Sequence, residues 1–216
     1  MSNIKTYANA SKSNLIFRSL VTGEDAVFYA FLSSFNQSFA SDWSSELVYG
    51  RTDPIGNFQG TQRTISAAWD LPAGNVDEAK ENLLKVNKLV KMLYPAYATA
   101  QQSVEIKEGE GTKKITVGGN ALVISKPPLM RLRFSNLIKS QGGTPKSGRP
   151  GPASIGLLGW IGNLTWTPDL AMGMFSLNQN LYPKVISLSI DFTVQHEHTI
   201  GKTPGKSTPA KFPFGG

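Results

Sequence analysis

Residues 184–195 constrain the chain more than any other stretch. Ile186, Leu188, Ile190, Phe192 and Val194 alternate there with Ser187, Ser189, Asp191, Thr193 and Gln195. Five successive periods of two fit a strand with one buried face, and a helix would scatter the same apolar residues around its circumference. The other face is rich in hydroxyls and nearly uncharged. A second strand is predicted over residues 62–71, with Ile65, Ala67, Trp69 and Leu71 on one side and Gln62, Thr64, Ser66 and Asp70 on the other. A third, over 26–35, is rich in aromatic residues, as strands tend to be. Weaker candidates lie at 14–19, 103–107 paired with 113–117, 121–125, 129–134 and 157–167. Several exceed the usual five or six residues, which favours long ribbons or a barrel over a compact sandwich.

One amphipathic helix is predicted over 76–93. Asn75 stands in the N-cap position with Glu78 three residues on, and Asp77 and Glu78 complement the dipole of the first turn. Val76, Ala79, Leu83, Val86, Val90 and Leu93 recur at spacings of three and four, Leu89 widens the stripe, and Pro95 ends it. Burying these side chains yields on the order of 10 kcal/mol. Ordering the backbone costs more, at roughly 1–2 kcal/mol per residue. The helix must therefore be pinned to the sheet. The expectation is an α+β, mostly β fold in a single domain over 1–201. A Gly/Pro-rich loop occupies 140–152, and an extended tail follows at 202–216.

Charge narrows the surface. Only 17% of the 216 residues are charged, with a net charge of +7 and no cysteine. Average soluble domains carry about 25%, and charge is depleted in the cores of protein interfaces, so much of this surface is expected to be covered by other subunits. The absence of cysteine removes disulfide scaffolds, thiolate metal sites and thiol nucleophiles. The first twenty residues do not read as a signal peptide, and no run is long and apolar enough to span a membrane. The protein is accordingly expected to stay in a cytoplasm until it is assembled, and the Asn-x-Ser/Thr matches at Asn9, Asn36 and Asn163 carry no meaning there.

The basic excess is local. Lys113, Lys114, Lys126, Arg131, Arg133, Lys139, Lys146 and Arg149 lie between Glu110 and Asp169 with no acid among them. The rest of the chain has fourteen bases against fifteen acids. Such a window suits a solvated face, a nucleic-acid backbone or an acidic neighbour.

Signals for chemistry are weak. Gly-Lys-Thr-Pro-Gly-Lys-Ser-Thr at 201–208 lacks the first glycine of a phosphate-binding loop, and Pro204, Pro209 and Pro213 exclude the helix that must follow. His196 and His198 alternate on one strand face, but no acids cluster with them to complete a metal site. Asp53, Asp70 and Asp169 adjoin turn signals, which explain them without catalysis. No catalytic, cofactor or metal residues are assigned, and the chain reads as no enzyme.

A succession of short motifs points to a family. It runs Tyr49-Gly50-Arg51-Thr52-Asp53-Pro54-Ile55, then Gln62-Arg63-Thr64-Ile65 and Trp69-Asp70-Leu71-Pro72-Ala73, then Leu93-Tyr94-Pro95-Ala96-Tyr97 closing the helix. Lys126-Pro127-Pro128-Leu129, Gly156-Leu157-Leu158-Gly159-Trp160-Ile161 and Tyr182-Pro183-Lys184 follow. Over residues 27–198 this order resembles baseplate proteins of contractile-tailed bacteriophages, in particular those that start the tail tube above the central hub. The resemblance implies a tail-tube-like β-barrel or sandwich with a flanking helix and long hairpins, and a ring of six copies whose inner wall is a continuous sheet. It implies a virion protein, assembled in the host cytoplasm, that contacts hub, tube and wedge proteins and meets DNA only as passage through the lumen. On that reading the lumen is lined by Ser187, Ser189, Asp191 and Thr193 or by the polar face of residues 62–70, and Arg131, Arg133, Lys139, Lys146 and Arg149 contact neighbouring subunits. The alternatives are a repeating tube or terminator subunit, and a nucleic-acid-binding module using 111–168. The extended tail and the many loops favour the initiator.

Overall fold

The computed structural model describes residues 14–29, 31–108, 111–135, 137–138 and 156–197, with backbone alone over 99–121. Among the described residues eleven strands and one helix follow in the order β1 (Asn14–Ser19), β2 (Asp25–Tyr29), β3 (Phe31–Glu46), β4 (Ile55–Pro72), α1 (Val76–Lys91), β5 (Ala96–Glu108), β6 (Gly111–Lys126), β7 (Met130–Phe134), β8 (Leu157–Pro168), β9 (Met174–Leu177), β10 (Asn180–Pro183) and β11 (Val185–Val194). Seven form an antiparallel sheet in the order β2-β1-β7-β8-β11-β4-β3, while β5–β6 and β9–β10 are separate two-stranded ribbons. The fold is α+β and mostly β, as expected.

The two edges of the large sheet are consecutive in the chain. Tyr29 ends β2 and Phe31 begins β3, so their α-carbons lie at most about 7.6 Å apart. A sheet whose opposite edges are that close is rolled through nearly a full turn. The expected strand over 26–35 is thus two strands, because the segment to Tyr29 pairs with β1 and the segment from Phe31 pairs with β4. The expected barrel is corrected in the same way: no ladder joins β2 to β3, and the sheet is not closed into a barrel.

Trp69 in β4 lies inside the roll, with ring centroids 5.9 Å from Phe17 in β1 and 5.6 Å from Phe28 in β2, while Phe35 and Phe134 meet at 6.4 Å. The inward rows are those the alternation predicts, Ile65–Leu71 on β4 and Ile186–Val194 on β11. Helix α1 covers part of the roll through Ala79, Val86, Leu89 and, beyond its last turn, Met92. Asn75 caps it by accepting the Glu78 N–H at 2.8 Å, and the Glu78 carboxylate accepts the Gly74 N–H at 2.9 Å. The buried stripe centres on Leu89, whereas Leu83, expected inside, is exposed at the rim of a groove.

Gly159 sits where β8 crosses β11. A β-carbon there would lie 2.0 Å from the Thr193 carbonyl oxygen and 2.8 Å from the Phe192 ring. The missing side chain is what lets the two strands approach. Gly159→Ala is expected to destabilise the fold by about 3 kcal/mol or more through this overpacking, read as a fall in the urea midpoint. A change within 0.5 kcal/mol would contradict that account.

Candidate assembly surfaces

Beyond the core, β3 and β4 continue as a ribbon to a tip at residues 47–54, and no residue from Ala40 to Gln59 is buried. Two of its aromatics, Trp43 and Phe58, face each other edge-on with centroids 5.2 Å apart. The Trp43 ring lies over Gly56, where a β-carbon would make only an ordinary contact with it at 3.5 Å. Tyr49, Gly50, Arg51, Asp53 and Pro54 make the tip; Gly50 has φ +85°, and the Arg51 N–H bonds the Val48 carbonyl at 3.2 Å. A two-stranded ribbon alone in water is marginally stable, and this arm is anchored by its continuity with β3 and β4 of the large sheet.

The remaining motif residues fall elsewhere. Arg63 and Trp69 lie on the inward face of β4, and Pro72, Pro183 and Lys184 gather where the Ala73 N–H bonds the Lys184 carbonyl at 2.8 Å. Tyr94 and Pro95 link α1 to β5, and Pro127 and Pro128 link β6 to β7. These residues mark corners, close approaches and the arm tip, and they do not converge on one pocket.

The outward face of β8–β11–β4–β3 is a polar wall. Its rows, read across the register, are Thr167-Ser187-Asp70-Phe31, Thr165-Ser189-Ala68-Ser34, Asn163-Asp191-Ser66-Asn36 and Trp160-Thr193-Thr64-Ser38. The wall carries two acids and no base. Ser187 Oγ donates to Asp70 Oδ1 at 2.7 Å, and Ser66 Oγ donates to Asp191 Oδ1 at 2.6 Å, so both carboxylates are braced across the β11–β4 ladder. Ser187, Ser189 and Asp191 are exposed and Thr193 is half-buried. Both edges of this wall are open among the described residues. Strand β3 is paired only with β4, and β8 pairs with β7 only from Leu157 to Gly159, leaving Trp160–Pro168 without a second neighbour.

The basic residues are less available than their count suggests. Arg131 grips Glu197 with two bonds of 2.7 and 2.6 Å and is thereby committed within the protomer, fixing the chain as it leaves β11. Arg133 is half-buried on β7. Lys139, Lys146, Arg149, His198 and the 201–208 segment lie outside the described residues. Among the described residues no three His, Cys, Asp or Glu side chains group as a metal site, and no helix is long and apolar enough to cross a membrane.

Arg63 is the charged group that alternation misplaces, since it occupies an inward position of β4 and is 1% exposed. Its Nε and Nη2 both donate to Gln37 Oε1, at 3.1 and 2.6 Å, and its guanidinium lies 5.4 Å from the centroid of the Phe39 ring. Burial lowers its pKa to about 10, so it stays charged at neutral pH. The signal in the sequence was Gln37 and Phe39, polar and aromatic partners on the adjacent strand.

No protein-family model matches the chain, and no curated protein matches it.

Arg63→Lys keeps the charge and loses the planar fork. It is expected to cost about 1–3 kcal/mol in denaturant unfolding. A variant as stable as the native protein would show that the Gln37 contact contributes nothing.

Proposed function

We propose that the protein is a structural component of a contractile phage tail. It forms a ring of six copies at the baseplate hub and templates the start of the tail tube. The single observation that carries this reading is the four-stranded polar wall with an open edge on each side. Edge β8 of one copy joined to edge β3 of the next extends the sheet head to tail, and such a contact closes into a ring when the rotation allows. Closure also removes the hazard of two long unpaired edges. The wall's hydroxyls and two braced acids, with no base, suit a lumen through which an anionic polymer passes without sticking. The order of the family-like motifs over residues 27–198 supports the same reading, and the exposed aromatic arm supplies a surface for the protein above or below.

The role is scaffolding and not catalysis. Its place is the tail baseplate of a virion assembled in the host cytoplasm, with hub and tube proteins, and wedge proteins beside them, as partners. Nucleic-acid binding through 111–168 has less support, because Arg131 is already paired.

Imaging of assembled particles is expected to show one sixfold ring at the base of the tube. Many stacked copies would assign the chain to the repeating tube, and its absence from the particle would sink the reading. A second test addresses the edges. Thr165→Lys combined with Ser34→Lys puts like charges on both edge strands, and is expected to lower ring yield at low salt, with recovery at high salt and an unchanged monomer melting temperature. Undiminished ring formation would exclude joining through these edges.

A further inference from the structure

We propose that the groove between α1 and the β8–β10 region is the seat of the chain's own C-terminal end, Phe212-Pro213-Phe214. The groove has a volume of about 530 Å³ and is walled by Leu83, Leu84, Val86, Val90, Trp166 and Tyr182. It exists because α1 stops short of covering the sheet. Trp166 pairs with Leu188 and shares its inward face, yet is 46% exposed where Leu188 is 2% exposed. Leu84, on the helix, is 67% exposed. Among the described residues no side chain fills the space between them.

Residues 198–216 lie outside the described part, and their sequence and length fit this occupant. Apart from Phe212 and Phe214 the tail from residue 202 has no aromatic residue, and Pro204, Pro209 and Pro213 favour an extended, polyproline-like course. Segments of that kind dock in grooves lined by aromatic side chains, here Trp166 and Tyr182. Reach is sufficient. The tail departs from Glu197, which Arg131 holds in place. From Val194 back to Leu188 the strand covers about 20 Å. The residues from 198 to 211 span up to about 46 Å when extended. A tether of this length gives the tail an effective concentration in the millimolar range, so at lower protein concentration its own groove is filled before a neighbour's. The polar wall and its open edges play no part in this contact, which is independent of ring formation.

The chain has no cysteine, so an introduced pair reports without background. Lys211→Cys is combined with Asn87→Cys on the groove and oxidised in the dilute full-length chain. A control combines Lys211→Cys with Ser38→Cys, an exposed position on the polar wall two strands from Thr193 and therefore closer to the root of the tail. The intrachain disulfide is expected to form about tenfold faster or more in the groove pair than in the control. Adding Phe212→Ala and Phe214→Ala is expected to abolish that advantage. Equal rates in the two pairs, an advantage that survives the alanine substitutions, or interchain dimers as the main product would each overturn the proposal.

Discussion

The packing of Trp69 against Phe17 and Phe28 is the contact on which the rest depends. Trp69 belongs to β4, near one edge of the sheet, and its ring partners belong to β1 and β2 at the other. A flat sheet would hold them several strand spacings apart, at roughly 4.8 Å per strand. Their contact is possible only because the sheet rolls. The roll gives every inward row a common interior, and the same curvature brings Tyr29 and Phe31 together so that one residue links the two edges. The indole N–H has no partner among the described residues. The site therefore places shape ahead of polar satisfaction, in keeping with a ring wedged between two others.

The surfaces follow from that geometry. Rolling β2, β1 and β7 over the interior leaves the long halves of β8, β11, β4 and β3 with their second face outward, and that face is the polar wall. The strands that enclose the core end before the ribbon does, so β3 and β4 run on into the arm. The helix is short enough to leave Trp166 46% exposed. Arm, wall and groove are thus three consequences of one mismatch, between strands of up to eighteen residues and a core that needs about half that length.

Much of this was legible in the residues. The β11 and β4 alternations specified which side chains face inward, and Asn75 with Glu78 specified where the helix starts. Gly159 and Pro183 were marked by the motif succession, although their reasons, a backbone approach that leaves no room for a β-carbon and a buried strand end, appear only in three dimensions. Other features were not legible. The continuation of β3 to Glu46 escaped because an exposed arm has no buried face and hence no alternation to read. The β9–β10 hairpin escaped because Asn178 and Gln179 form its turn with positive φ of 51° and 64°, without the glycine that usually announces one. Arg63 broke the pattern because its partners lie on another strand. Arg131, read as a contact to neighbouring subunits, is paired with Glu197, sixty-six residues away.

The sequence by itself determined the mostly β class, the amphipathic helix and the two faces of β11 and of the core half of β4, because period and capping are local properties. It also determined that the basic excess lies in one window. Only the tertiary structure decided that the sheet rolls without closing, which edges stay open, which bases are already paired and where the helix leaves an apolar groove. Those outcomes rest on contacts between residues far apart in the chain, and no local pattern encodes which distant strand becomes a neighbour.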